Sequence, residues 1–182
     1  MTGNTKAVMW KRFTLREAIW LGFCATFIVI TRAALMLKLN IPGHAMFFIM
    51  FFLILGRGCV QRLGAATLVG LIAGIMCTML GMGKEGPLII IKFVLPGIIV
   101  DLGALIYPRL PSRIFACVII GVIAAACRYV TSMGIDWLVE MDYDIMLKKA
   151  LIGSIMNILF GAAGAALVPP VVRRLKAHGL IT

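Results

Sequence analysis

Two basic side chains interrupt otherwise apolar runs of this sequence: Lys92 within GPLIIIKFVLPGIIV and Arg128 within FACVIIGVIAAACRYV. At the centre of a membrane helix such a charge costs at least about 2.5–3.5 kcal/mol on insertion scales, so a compensating interaction must accompany it. Arg32, Lys38, His44 and Lys84 fall at the same ends of their own apolar runs. Together with Lys92 and Arg128 they could line a cationic pocket for a carboxylate or phosphate, groups that guanidinium pairs with in bidentate fashion. The competing reading is that these long side chains extend to lipid headgroups and bind nothing. Glu85, beside Lys84 in the glycine-rich string GMGKEGP, could pair with Lys84 or Lys92 and shape the pocket rim, or could belong to a solvated loop. Asn157, an amide inside the last apolar run, completes the set; Tyr129, Trp137 and Tyr143 stand near the same boundary, where aromatic residues usually anchor a helix.

Other chemistry finds little support in the residues. The sequence has no HExxH, no paired histidines, no Gly-x-Ser-x-Gly and no inward pair of carboxylates, and His44 and His178 fall at opposite boundaries, so no catalytic constellation forms. GMGK resembles part of a nucleotide loop, but the full pattern requires glycine where Thr78 stands and Ser or Thr where Glu85 stands. Cys24, Cys59, Cys77, Cys117 and Cys127 show neither CxxC nor Cys/His ligand spacing, which leaves them as small apolar packing residues and gives no metal site. Asp101 lies about half a turn out of phase with Lys92 on one helix. Its expected role is structural, paired with Arg57, Arg62 or Arg109; a proton-coupling carboxylate is the alternative.

These residues are carried by a strongly apolar chain. Of the 182 residues, 62% are hydrophobic and 14% charged, against about 45–50% and about 25% in soluble domains. Six apolar runs, at about 14–37, 44–56, 63–81, 87–106, 112–133 and 148–168, predict an all-α integral membrane protein: a bundle of six transmembrane helices with short loops, forming a single membrane domain over 1–182. Thr14 and Glu17 make a capping box at the first helix. The second run is the shortest and is expected to tilt less, to pack against a thinner region or to span only partly. The third, GAATLVGLIAGI, is rich in small residues that let backbones approach closely, and is expected to be a central helix. Pro96-Gly97 predicts a kink in the fourth, residues 134–147 a wetter connection, and Pro169-Pro170 the end of the sixth.

The net charge of +11 is dispersed between apolar segments rather than gathered on one tract, which argues against a nucleic-acid partner. The N-terminal, second-loop, fourth-loop and C-terminal segments carry most of the Lys and Arg, so both termini are expected in the cytoplasm. The first apolar run follows Lys6, Lys11, Arg12 and Arg16 like a signal peptide, but it is long and lacks an A-x-A site, so it is expected to be retained.

Ala18, Gly22 and Ala25 on the first helix form a small-x-x-x-small stripe, and runs 64–75 and 86–105 have a matching texture of small and apolar residues. In these features, in size and in helix number, the chain resembles the substrate-binding S components of energy-coupling factor (ECF) transporters. The resemblance implies a subunit of the bacterial cytoplasmic (inner) membrane that captures a vitamin or micronutrient near the outer face, with helices four to six and the first loop, and releases it inward. Its partners would be a transmembrane coupling protein, contacted through Ala18, Gly22 and Ala25, and two ATPase subunits. The chain itself would be no enzyme and would need no cofactor. A basic outer half, where such pockets are usually aromatic, favours an anionic solute over a cationic one. Two further readings are open: a membrane scaffold or assembly protein, and an enzyme acting on lipid phosphates.

Overall fold

In hydrocarbon every backbone N–H and C=O must find its partner within the protein, and apolar runs of this length do so as helices. The structure is a computed structural model that describes residues 13–38, 44–82, 86–107, 110, 113–138 and 143–178. Among these are six α-helices: α1 (Leu15–Lys38), α2 (His44–Cys59), α3 (Ala65–Met79), α4 (Ile89–Ile106), α5 (Ile114–Leu138) and α6 (Tyr143–Ala177), with a 3-10 turn at Gly86–Leu88 leading into α4. Four segments, Leu15–Leu35, Gly86–Ile106, Ile114–Gly134 and Gly153–Ala177, are long and apolar enough to cross a membrane. The capping box is present: the Thr14 amide donates to Glu17 Oε2 at 2.7 Å and the Glu17 amide to Thr14 Oγ1 at 3.4 Å.

Helix α2 is the centre of the bundle. It packs against all five other helices, whereas α3 meets only α1, α2 and α4. The run HAMFFIMFFLILG is apolar all round, as an enclosed helix must be. With 16 residues, α2 is about 24 Å long, short of the hydrocarbon thickness; its neighbours rather than lipid meet most of its surface.

Two further boundaries depart from expectation. Helix α6 runs straight through Pro169 and Pro170 to Ala177. Each proline removes one helix hydrogen bond, but Ala165, Val168 and Val172 are buried in the core on either side of the pair, and this packing against α2 and α5 holds the helix together. Helix α5 extends to Leu138 and α6 begins at Tyr143, so most of the wetter connection is helical.

Glycine sets how closely the helices approach. A Cβ on Gly70 would collide with the Phe93 carbonyl, one on Gly74 would lie 3.0 Å from Ile90 Cα, and one on Gly97 would lie 2.7 Å from the Ala66 carbonyl oxygen. Backbone therefore meets backbone along the whole α3–α4 seam, as the small residues of the third run led one to expect. A second seam joins α6 to α2 and α5, where a Cβ on Gly164 would strike the Phe47 carbonyl and one on Gly121 would lie 2.8 Å from Ala165 Cβ.

The α3–α4 seam delivers Asp101 to the start of α3. Gly64, the N-cap, adopts φ +86 and has no side chain with which to cap the helix. Asp101 supplies the cap from α4: Oδ2 accepts from the Thr67 amide at 2.8 Å and from Thr67 Oγ1 at 2.7 Å, and Oδ1 from the Ala66 amide at 3.3 Å. Arg57, at the end of α2, holds its Nε 3.5 Å from Asp101 Oδ1, at ion-pair distance though not in hydrogen-bond alignment, while its Nη1 donates to the Val60 carbonyl at 3.1 Å. The pairing of Asp101 with Arg57 is one of the three expected from the sequence. Close by, Arg62 Nε lies 2.8 Å from Glu17 Oε1 and its guanidinium sits 6.0 Å from the Phe13 ring, fastening the α2–α3 turn to α1.

Two predictions follow from this geometry. Gly97→Leu is expected to lower the melting temperature of the detergent-purified protein steeply, since overpacking of even small groups costs about 1–3 kcal/mol. Gly22→Leu, at a position with nothing within 4 Å of the added Cβ, is expected to leave it within a few degrees of wild type. Asp101→Leu alone strands Arg57 and is expected to cost about 3–5 kcal/mol, and Arg57→Met in the same chain to recover part of that loss; a double variant no more stable than Asp101→Leu would contradict the pairing.

Candidate functional site

At the opposite end of the bundle from Asp101, two helices bring basic side chains to one aromatic ring on a third. The guanidinium of Arg32, near the end of α1, lies 5.1 Å from the centroid of the Phe93 ring, and that of Arg128 on α5 lies 5.5 Å from the same centroid. Phe93 is the largest of the fully buried side chains. Its ring supplies each cation with the negative face of a quadrupole where water does not reach. Arg32 Nη2 also donates to the Met82 carbonyl at 3.2 Å, tying α1 to the chain leaving α3. The Nη1 atoms of both arginines are buried, and Cys77 on α3 lies within electrostatic range of both groups.

Lys92 precedes Phe93 and is 6% exposed. On α4 it is in phase with Gly103, which packs on Ile120 of α5, so it occupies the flank that faces α5. Asp101 lies on the flank that faces α3. The half-turn between the two, read from sequence, thus separates a basic site on one side of α4 from a structural carboxylate on the other, about 13 Å along the helix.

The remaining site residues are placed less tightly. His44 opens α2 at the same end of the bundle and is half-buried. Asn157 is half-buried on α6, one turn before Gly161, whose backbone packs on Ala125 of α5 and on Met46 and Met50 of α2; this puts it near the level of Arg128. Lys84 and Glu85 lie outside the described residues, and the Lys38 backbone ends α1. Of the helix-one stripe, Ala18 is exposed and Gly22 open, but Ala25 is fully buried in the core. Position 25 lies within about 20° of position 18 on the helix, so the stripe does share one face; further along α1 that face enters the packing against α2 and α3.

Sequence reasoning did not single out Phe93. The available signal was its adjacency to Lys92, since a ring beside an intramembrane charge is a candidate partner for cations arriving from neighbouring helices. Phe93→Leu, which nearly preserves volume, is expected to destabilise the protein by about 1–3 kcal/mol, each cation–ring contact contributing about 0.5–2 kcal/mol. Its effect should couple to that of Arg32→Gln by about 0.5 kcal/mol or more in a double-mutant cycle of thermal melts, whereas additive losses would argue against the contact.

No family model and no curated protein matches the sequence. A solved structure does match in three dimensions: the crystal structure of an S-component of an ECF transporter superposes at a TM-score of 0.70 with 14% identity, over 93% of this chain and 88% of that one. At that identity the likeness is one of fold. The chain is a helical, multi-pass membrane protein with the fold of an ECF S-component.

Proposed function

We propose that this chain is the solute-capture subunit of an ECF-type uptake transporter, taking a vitamin-sized or micronutrient solute at the outer face of a bacterial cytoplasmic membrane and releasing it inward. The observation that carries this reading is the likeness of fold along nearly the entire chain. The end of the bundle bearing Arg32, His44, Lys92 and Arg128 faces outward and receives the solute, with Asn157 from α6 and with Lys84 and Glu85 from the loop before α4. The excess of Lys and Arg at the other end supports this orientation and puts both termini in the cytoplasm. A cationic lining suits an anionic solute.

Energy comes from partners: a transmembrane coupling protein and its ATPase subunits. Of the helix-one stripe, Ala18 is exposed and Gly22 has nothing within 4 Å of an added Cβ, so the two admit a close approach by a partner helix. Affinity purification of the tagged chain from its native membrane in mild detergent, with mass spectrometry of what accompanies it, tests the reading. The coupling protein and ATPases are expected with wild type and are expected to be lost with Gly22→Leu, whose melting temperature stays near wild type. Recovery of wild type as a single, ligand-free chain would overturn the proposal.

A further inference from the structure

The α5–α6 pair carries a second basic cluster, at the end of the bundle that bears Asp101. Gly121 of α5 meets Ala165 of α6, and Ala125 meets Gly161, so the two helices run antiparallel in a fixed register. Arg113 stands eight residues before Gly121, at the start of α5, and Arg173 eight residues after Ala165; both lie about 12 Å beyond the same contact, at one height. Arg174 and Lys176 follow within the next turn of α6, and all four side chains are exposed.

Buried neighbours hold this rim in place. Leu110, fully buried in the turn from α4 into α5, donates its amide to the Tyr107 carbonyl at 2.9 Å, and its carbonyl accepts from the Arg113 amide at 3.2 Å and from Cys117 Sγ at 3.0 Å. On α6, Val172 is buried and Leu175 packs on the core, which keeps the basic last turns docked beyond Pro169-Pro170. The acidic residues belong elsewhere in the chain. Asp136 and Asp144 stand at the far ends of α5 and α6, about 35 and about 44 Å along the helices from Arg113 and Arg173. Glu140 and Asp142 fall between them in sequence, and Glu85 precedes α4. Glu17 and Asp101 face Arg62 and Arg57. Beside the basic rim the same two helices turn apolar side chains outward: Phe115 is 87% exposed, and Ile114, Ile119 and Leu167 are exposed as well. A phosphate carried on hydrocarbon tails matches both the cations and this apolar surface, whereas an acidic protein or a nucleic acid would match the cations alone.

We propose that Arg113, Arg173, Arg174 and Lys176 form a site for an anionic phospholipid, its phosphate held at the α5–α6 rim and its acyl chains along the exposed apolar side of the pair. Guanidinium groups offer a fork of donors suited to phosphate, and basic side chains gathered between membrane helices recur as headgroup sites. In the orientation proposed above, the lipid comes from the inner leaflet. The site is a property of the chain alone and holds whether or not the chain carries a solute.

The test places the purified full-length chain in nanodiscs of phosphatidylcholine, alone or mixed with an equal part of phosphatidylglycerol. Native mass spectrometry counts the lipids retained on release, and thermal melting is followed in the same discs. Wild type is expected to retain phosphatidylglycerol several-fold over phosphatidylcholine and to melt higher in the mixed discs. Replacing all four basic residues by Gln is expected to remove most of that preference. Arg113→Gln alone, and Arg173→Gln with Arg174→Gln, should each lower it at least twofold, which tests the two helices separately and with smaller changes. Lysine at the three arginine positions should keep most of it. Arg16→Gln, an exposed charge on α1, which packs on α2 and α3, should leave it unchanged. Equal retention of the two lipids by wild type, or an undiminished preference in the Gln variants, would overturn the site. An equal loss from Arg16→Gln would overturn it too, by assigning the preference to diffuse charge. Inorganic phosphate added to phosphatidylcholine discs should not raise the melting temperature; a rise matching that with phosphatidylglycerol would assign the cations to a soluble phosphate instead. Loss of co-purifying ATPase subunits from the Gln variants with lipid retention intact would make the rim a protein interface and overturn the lipid, while leaving the transport reading in place.

Discussion

The carboxylate of Asp101 ties together the ends of three helices. It caps the first turn of α3, whose own N-cap is a side-chain-less glycine, and it neutralises Arg57 as that residue closes the end of α2. Each group alone would be a burden inside a membrane bundle: an uncapped helix start, an unshared guanidinium, a bare carboxylate. Brought together, they cap α3 and set the two charges at ion-pair distance where α2, α3 and α4 meet. The rest of the α3–α4 seam, with backbone on backbone at Gly70, Gly74 and Gly97, is in register only when Asp101 reaches Ala66 and Thr67.

That register reaches the other end of the molecule. A hydrophobic drive between helices is weak in lipid, so packing depends on how closely backbones can approach. The glycine seams bring α4 tightly against α3, and α6 tightly against α2 and α5, around the short central α2. With α4 held at this height, Phe93 stands where the ends of α1 and α5 can both deliver an arginine. The polar devices at the two ends therefore differ in kind. One joins a carboxylate to a guanidinium and a helix start; the other brings two guanidinium groups from separate helices to a ring.

In the proposed capture role, the end at Asp101 would serve as the frame and the end at Phe93 as the place where a solute meets the chain. Ala18 and Gly22 leave a small-residue surface on α1 near the rigid end, where a partner helix can approach without disturbing the packed interior.

Much of this was legible in the order of residues. Apolar runs longer than a soluble helix requires, separated by charged turns, specify membrane helices because unsatisfied backbone is so costly in hydrocarbon. The capping box at Thr14 and Glu17, the small-residue face of the third run and the pairing of Asp101 with Arg57 follow from local spacing and from the need of a buried charge for a partner. The central place of α2, the burial of Ala25, the passage of α6 through Pro169 and Pro170 and the meeting of two arginines on Phe93 do not. Local propensity is a property of neighbouring residues, whereas these four depend on which helix faces stand opposite each other and at what height. Interhelical packing sets both, and through them decides whether a proline pair is tolerated and whether scattered cations become a site.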